Sequence, residues 1–448
     1  MSNITTVGVI GSGYVGLTTA AIFANAGFKV YAIEINPERL ASIQRGKSFF
    51  YEVGIDPLLA TALDTKRLVA TGSYEAAIPA CDIVFSCVGT PDNPDGSSNL
   101  SYVFDAAQTA AGFLRSGSIF VQKSTVPVGT GEKIETLFEE AGKHIRYVSN
   151  PEFLREGTAI SDTLWFDRIV TGSNDSTAAD EVADMYRAME LQRDTIARTA
   201  GIAAPATTAA GSYVTTSRNS AELIKVTANA FLSLKISFAN SIAKLADQAG
   251  ADVGEVMDAV GADRRIGRAF LNAGRGYGGG CFPKDVSGLI RSAEDYGVNM
   301  EIMLAASDVN ASMPHYIIAK TAETLGEMLK GKKVAVFGLA FKPGTSDTRR
   351  SPAVAIANTL ADEGAEVKAY DPEAMAEAQP ELQPGVTLCS SATAAAAAAD
   401  VIFVATDWPE FKTFDYKNTK AVIVDCMNTL DAAAIKQAGL TYIGVGRR

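Results

Sequence analysis

Histidine, cysteine and net positive charge are all scarce in this 448-residue sequence. There are two histidines, His144 and His315, and neither has a serine or carboxylate partner nearby in the sequence. Catalysis built on histidine is therefore not expected. The five cysteines, Cys81, Cys87, Cys281, Cys389 and Cys426, are scattered, odd in number and contain no C-x-x-C. That pattern excludes a disulfide framework and a zinc site, so no metal is expected. A reducing, cytoplasmic setting suits such cysteine usage. Lys and Arg number 40 against 51 Asp and Glu, for a net charge of −11. Non-specific nucleic-acid binding rests on clustered basic residues, so it is not expected. An anionic ligand would need a local basic pocket. No run reaches the roughly 18 apolar residues of a spanning helix. The apolar stretch from Val7 lacks a basic start and is interrupted by glycines, so no targeting segment is expected.

What is present is ordinary for a globular chain: 47% hydrophobic and 20% charged residues. Disorder needs low hydrophobicity with high charge, and that is absent. The length suggests about two to four domains. Thr6–Ile10 reads as a strand and Gly11-Ser-Gly13-Tyr14-Val15-Gly16 as a turn. An Ala-rich helix follows to Ala26, then a second strand over 29–35. Further strands are predicted at 83–88, 118–123 and 146–149, separated by helical segments. Such alternation predicts an α/β, doubly wound parallel sheet. Small residues over 197–217 read as a loop or linker. Helix formers without Pro or Gly then run from 219 to 245, a long spine. A second α/β unit begins at Lys332, with a strand at 334–337, a helix at 351–363 and a strand at 366–370. The alanine run 394–399 reads as a surface helix.

Gly11, Gly13 and Gly16 sit between a strand and a helix, where backbone N–H groups can approach a pyrophosphate. Glu34 ends the next strand, where a carboxylate binds ribose hydroxyls and repels a 2′-phosphate, which favours NAD. Arg39 could stack near the adenine. Thr90 and Thr125 follow strands at the sheet's carboxyl edge and are candidate cofactor contacts. In Asn150-Pro-Glu152-Phe-Leu-Arg-Glu156, two acids four apart could share a helical face. Lys225 and Asn229 are also four apart, on the spine. In Gly274-Arg-Gly-Tyr-Gly278-Gly-Gly-Cys281-Phe-Pro283-Lys284-Asp285, the proline reads as a helix start. Cys281 would then sit at a helix N-terminus near Lys284, and both would lower its thiol pKa. It is the candidate nucleophile; the other four cysteines read as core residues. Lys342 and Arg349, in Phe341-Lys342-Pro-Gly-Thr-Ser-Asp347-Thr-Arg349, supply local positive charge.

These motifs, in this order over nearly the whole length, resemble the UDP-glucose/GDP-mannose dehydrogenase family. The resemblance implies two Rossmann-like domains joined by a helical middle domain with a long central helix. The domains would span 1–205, which binds NAD, 218–312, which carries the cysteine loop and dimerises, and 313–448, which binds the UDP-sugar. It implies oxidation of a sugar CH₂OH to a carboxylate with two NAD and one water. By resemblance Cys281 is the nucleophile, and Lys225 and Asn229 stabilise an oxyanion. Glu152 is then the acid/base of thioester hydrolysis, and Asp285 orients water or Lys225. Thr125 joins that catalytic set. Tyr14, Val15, Glu34, Arg39, Thr90, Thr125, Glu156, Lys284 and Arg349 match cofactor contacts. Glu152, Phe153, Leu154, Arg155, Glu156, Lys225, Asn229, Phe270, Leu271, Asn272, Ala273, Gly274, Gly278 and Lys342 match substrate contacts. Arg265 matches an arginine reaching the neighbouring chain's substrate, which implies a homodimer. Met427 stands where many members carry an arginine. The FPKD segment and Phe270 lean towards UDP-glucose over GDP-mannose. A single-oxidation β-hydroxyacid dehydrogenase and a non-catalytic NAD sensor are the other readings, and the Cys281 loop speaks against both.

Overall fold

The computed structural model describes residues 4–206 and 210–447. The chain divides into two compact units, 1–227 and 228–448. The division falls inside one helix, Arg218–Ala249.

The first unit is built on β1 (Thr6–Ile10), β2 (Lys29–Ile33), β3 (Leu68–Thr71), β4 (Ile83–Ser86), β5 (Ile119–Gln122), β6 (Arg146–Ser149), β7 (Arg168–Gly172) and β8 (Ser212–Thr216). They lie in the order β3-β2-β1-β4-β5-β6-β7-β8. β4 and β5 are buried along their whole length, as a sheet covered by helices on both faces requires. Two apolar clusters fill those faces. The first helix, Tyr14–Asn25, is buried from Gly16 to Ala24, which explains its Ala-rich run without a polar stripe. Chain order reverses between β1 and β4, so a ligand crevice is expected at the carboxyl ends of these strands.

Two sequence expectations for this unit change. The sheet is not wholly parallel: β6 meets β7 antiparallel at Ser149 and Gly172, and β8 runs parallel to β7. The supposed linker 197–217 contains the end of a helix, Arg193–Ala200, and the whole of β8. β8, Ser-Tyr-Val-Thr-Thr, is a largely exposed edge strand, with Tyr213 packed edge-on against Phe166. Part of the expected linker, 207–209, lies outside the described residues. The first sheet thus reaches past the expected boundary at 205.

The second unit carries helices Val253–Gly261, Phe282–Asp295 and Glu301–Leu325 ahead of its own sheet. The strands are β9 (Lys333–Phe337), β10 (Glu366–Tyr370), β11 (Val386–Leu388), β12 (Val401–Val404), β13 (Val422–Asp425) and β14 (Tyr442–Gly444). Their order is β11-β10-β9-β12-β13-β14, all parallel. Apolar clusters cover both faces, and Ala239, Ala243 and Ala246 of the long helix join one of them. The alanine run is not a surface helix. Its helix is Ala392–Ala396, with Ala392, Ala395 and Ala396 buried in the core, and Ala398 takes a left-handed φ of 58°. Small side chains there let the backbone pack closely under the sheet. Cys81, Cys87 and Cys426 are buried as expected, but Cys389 is only half-buried.

The long helix presents two different faces. Glu222, Lys225, Asn229, Ser233 and Asn240 are buried polar residues. Leu223, Phe231, Phe238 and Leu245, spaced by eight, seven and seven, are 44%, 59%, 50% and 62% exposed. At 100° per residue these four fall within a stripe of about 80°, roughly opposite the polar face.

Candidate active site

In the first unit the glycine turn leaves β1 and enters the first helix at Gly13, which caps it without a side-chain bond. A Cβ on Gly16 would lie 1.9 Å from the Gly11 carbonyl oxygen, so the turn closes only with glycine there. A Cβ on Gly13 would meet nothing within 4 Å, so that side of the turn is open. The Ser12 hydroxyl is buried with no hydrogen-bond partner. An open helix N-terminus beside an unsatisfied hydroxyl fits a pyrophosphate. Glu34, 6% exposed, accepts from Ser12 N at 3.3 Å and Asn36 N at 2.9 Å. A carboxylate has about four acceptor sites, so capacity remains for ribose hydroxyls. The Arg39 guanidinium lies 4.9 Å over the Phe49 ring.

The turns after β4 and β5 come together, since Ser124 Oγ donates to Val88 O at 2.6 Å. Thr90 is buried and Thr125 half-buried in these turns. Residues 151–158 are irregular rather than helical, so Glu152 and Glu156 do not share a helical face. Pro151 sits where a helix would begin, and the loop instead bonds to other elements. Glu152, 9% exposed, accepts from Leu154 N and lies 3.2 Å from Lys225 Nζ. The Phe153 ring takes the Arg168 guanidinium at 3.8 Å and Lys225 Nζ at 5.4 Å. Arg155 is tied to Asp162 at 2.6 Å. Tyr14 donates its hydroxyl to Glu52 and accepts from Gly157 N. Glu156 is thereby held close to the glycine turn. Burial, then the Glu52 hydrogen bond, raises the Tyr14 pKa well above the ordinary tyrosine range.

In the second unit Cys281 is exposed and caps the helix Phe282–Asp295, with Pro283 in its first turn. Asp285, 3% exposed, accepts from Asn229 Nδ2 at 2.5 Å and pairs with Lys284 Nζ at 2.8 Å. Asn229 of the long helix thus forms one cluster with Lys284 and Asp285 in the turn after Cys281. A Cβ on Gly280 would lie 2.5 Å from Arg349 Cζ, so the glycine before the cysteine makes room for that guanidinium. Arg349 also binds Asp347 through Nε at 2.8 Å and Nη2 at 2.7 Å. Gly278 packs on the Arg350 carbonyl, and Lys342 Nζ lies 5.6 Å over the Phe341 ring. Phe270 takes a left-handed φ of 66°, and its ring lies 6.1 Å from that of Phe282. Leu271 and Ala273 are buried, Asn272 is exposed and accepts from Arg268, and Gly274 N donates to Asn240 at 2.8 Å. Arg265 is 86% exposed and pairs with Asp263 at 2.6 Å.

Sequence reading missed Glu52, Glu222 and Arg275. Arg275 is 1% exposed at the carboxyl ends of β9 and β12, with Nη2 on Phe341 O at 2.9 Å and on Thr406 Oγ1 at 3.4 Å. Its Nε and Nη1 have no partner, and burial pushes its pKa down to about 10. Its own N–H bonds Cys426 O at 2.8 Å, one residue before Met427. The backbone of this buried arginine therefore lies beside the position where the sequence lacks the expected arginine. A lone arginine inside a glycine-rich run was the available signal.

Comparison with known proteins agrees with this geometry. Residues 5–190 match the UDP-glucose/GDP-mannose dehydrogenase family NAD binding domain. Residues 219–312 match the family's central domain and 335–432 its UDP binding domain. The UDP-glucose 6-dehydrogenase TuaD of Bacillus subtilis (strain 168) is 39% identical over 450 residues, 98% of this chain and 93% of the relative. The UDP-glucose 6-dehydrogenase of Rhizobium meliloti (strain 1021) is 37% identical over 449 residues, 98% of this chain and 99% of the relative. The structure of a UDP-glucose dehydrogenase from Pyrobaculum islandicum superposes with a TM-score of 0.89 at 38% identity, covering 100% of this chain and 99% of that one. An NAD-type glycine turn, a buried Lys–Glu pair and a helix-capping cysteine, in a chain alike from end to end, leave one conclusion: the chain belongs to the UDP-glucose/GDP-mannose dehydrogenase family.

Proposed function

We propose that this chain oxidises UDP-glucose to UDP-glucuronate, with water and two NAD, through a covalent adduct on Cys281. The observation that carries the reading is the exposed Cys281 at a helix N-terminus, followed at once by the Asn229–Asp285–Lys284 cluster. NAD supplies the hydride acceptor for both oxidations. Gly11, Gly13, Gly16, Tyr14, Val15 and Glu34 would hold it, with Arg39, Thr90, Thr125, Glu156, Lys284 and Arg349 as further contacts.

Each residue then has a distinct task. The first oxidation leaves an aldehyde at the sugar's terminal carbon. The Cys281 thiolate adds to it, forming a C–S bond and placing negative charge on oxygen. Lys225 and Asn229, one turn apart on the long helix, stabilise that oxygen. The second oxidation leaves a thioester. Glu152, paired with Lys225, takes a proton from water, which attacks the thioester carbon. The C–S bond breaks, its electron pair returns to sulfur to restore the Cys281 thiolate, and the carboxylate product leaves. Asp285 keeps Asn229 and Lys284 in place. Covalent capture also explains retention of the aldehyde. Phe153, Leu154, Arg155, Phe270 to Gly274, Gly278 and Lys342 would bind the UDP-sugar.

We read the working form as a cytoplasmic homodimer. The exposed stripe Leu223, Phe231, Phe238 and Leu245 would pair with its copy, and Arg265 would reach the neighbouring site. Sedimentation as a monomer at working concentrations would remove this part.

Counting NADH per limiting substrate tests the reaction. Two per UDP-glucose, and none from GDP-mannose or 6-phosphogluconate, is the expected result. One or none from UDP-glucose overturns it. Cys281→Ser should lower turnover by roughly a thousandfold or more, as loss of a covalent nucleophile does. Near-normal turnover would exclude the covalent route.

A further inference from the structure

Glu222 lies on the long helix three residues before Lys225, on the same buried face. The residue is 2% exposed. Oε2 accepts from Gly129 N and Oε1 from Gly131 N, each at 2.8 Å. Gly129 ends the turn that carries Thr125 and caps the helix Thr130–Glu140. One side chain thus ties the Thr125 turn to the Lys225 turn. A Cβ on Gly131 would lie 2.8 Å from Glu222 Oε1 and 2.5 Å from the Tyr147 ring, so this contact tolerates no side chain there.

We propose that Glu222 is a positioning residue: as a carboxylate it sets the Lys225 turn of the long helix against the Thr125 turn. The inference rests on the roles given above to Lys225 and Thr125. A carboxylate accepts on both oxygens, matching two N–H donors. A carboxylic acid or an amide must turn a donor towards one of them. Ionisation therefore controls the clamp. Burial pushes the Glu222 carboxyl up to about 7, opposed by the two glycine N–H groups and Arg218. The charged and titratable groups facing it are Arg218 on its own helix and the Tyr147 hydroxyl on β6. Glu132 and Glu135 on the helix Thr130–Glu140 act through Arg218, which they pair.

The sign of the pH effect follows. A carboxyl raised in the folded state contributes stability below its unfolded value, and that contribution is lost as pH rises through about 7. The clamp strengthens over the same interval. NADH affinity should therefore rise with pH while this contribution to stability falls, a pairing that a merely structural carboxylate would not show.

The test compares wild type with Glu222→Gln by NADH fluorescence titration and thermal melting from about pH 5.5 to 9. Wild-type affinity should rise roughly tenfold through neutral pH, the worth of one charge-assisted hydrogen bond. The glutamine variant should stay at the low-pH value throughout, while remaining folded. Gly131→Ala should weaken affinity in the same direction. An unchanged pH profile in Glu222→Gln overturns the proposal. So does a loss of affinity that only tracks a loss of folded protein. Turnover of Lys225→Ala is measured separately; if it persists, the reading of the site fails, whereas the NADH titration still reports on the clamp.

Discussion

At the end of β2 the first sheet carries Glu34, and at the end of β10 the second carries Asp371. Both follow the second strand of a parallel sheet, next to the turn leaving its first strand. Glu34 accepts two backbone bonds and lies beside a turn whose Gly13 side is open. Asp371 is fully buried and accepts five: from Leu339, Ala340, Glu373 and Ala374 N–H groups and from Trp408 Nε1, at 2.7 to 3.1 Å. A Cβ on Gly338 would meet Thr406 at 2.4 Å, so that turn is filled from within. The same layout is therefore filled in two different ways. One acid keeps acceptor capacity unused by the two backbone donors that reach it; the other spends all of it on its own chain. A repeated fold does not carry a repeated site.

The contrast can be broken at its glycine turn, at Asp371 or at Glu34. Gly16→Ala should have the largest effect. Its Cβ would overlap the Gly11 carbonyl, and overpacking of about 3 kcal/mol lowers NAD affinity by roughly a hundredfold or more, by calorimetric titration. Affinity within tenfold of wild type would show that the turn is not the cofactor cradle. Asp371→Asn comes next. It should lower stability by about 2–3 kcal/mol, the worth of hydrogen bonds to a buried charge, and leave NAD affinity unchanged. Weakened NAD binding with normal melting would mean that the second acid also serves the cofactor. Glu34→Gln should cost least, about tenfold in NAD affinity, with a smaller loss for NADP because the repulsion is removed. Equal losses for both would deny Glu34 its part in choosing the cofactor.

Much of this was legible beforehand, but unevenly. β6 and β10 were placed to the residue, and the long helix to within four residues at each end, because apolar runs and uninterrupted helix formers are local signals. Cys281 at a helix start was also legible, since Pro283 marks the first turn. β8 was not, because a short, largely exposed edge strand, Ser-Tyr-Val-Thr-Thr, carries too little apolar pattern to stand out from the small residues before it. The irregular path of 151–158 was hidden because two of its bonds go to Tyr14 and Lys225, distant in sequence, besides the nearby Asp162. Glu222 and Glu52 gave no signal in the sequence, because their backbone donors, Gly129, Gly131 and Ile160, lie far along the chain.

The sequence by itself determined the fold class, the glycine turn, the placing of Cys281 at a helix start and the acidic balance of 51 carboxylates against 40 basic residues. Each is written in neighbouring residues or in composition. Only the tertiary structure decided which acids have partners: Glu152 with Lys225, Asp285 with Asn229 and Lys284, Glu222 with two glycine N–H groups, and Asp371 with five donors. A carboxylate's role depends on burial and on which donors reach it, and most of those donors come from other turns of the chain.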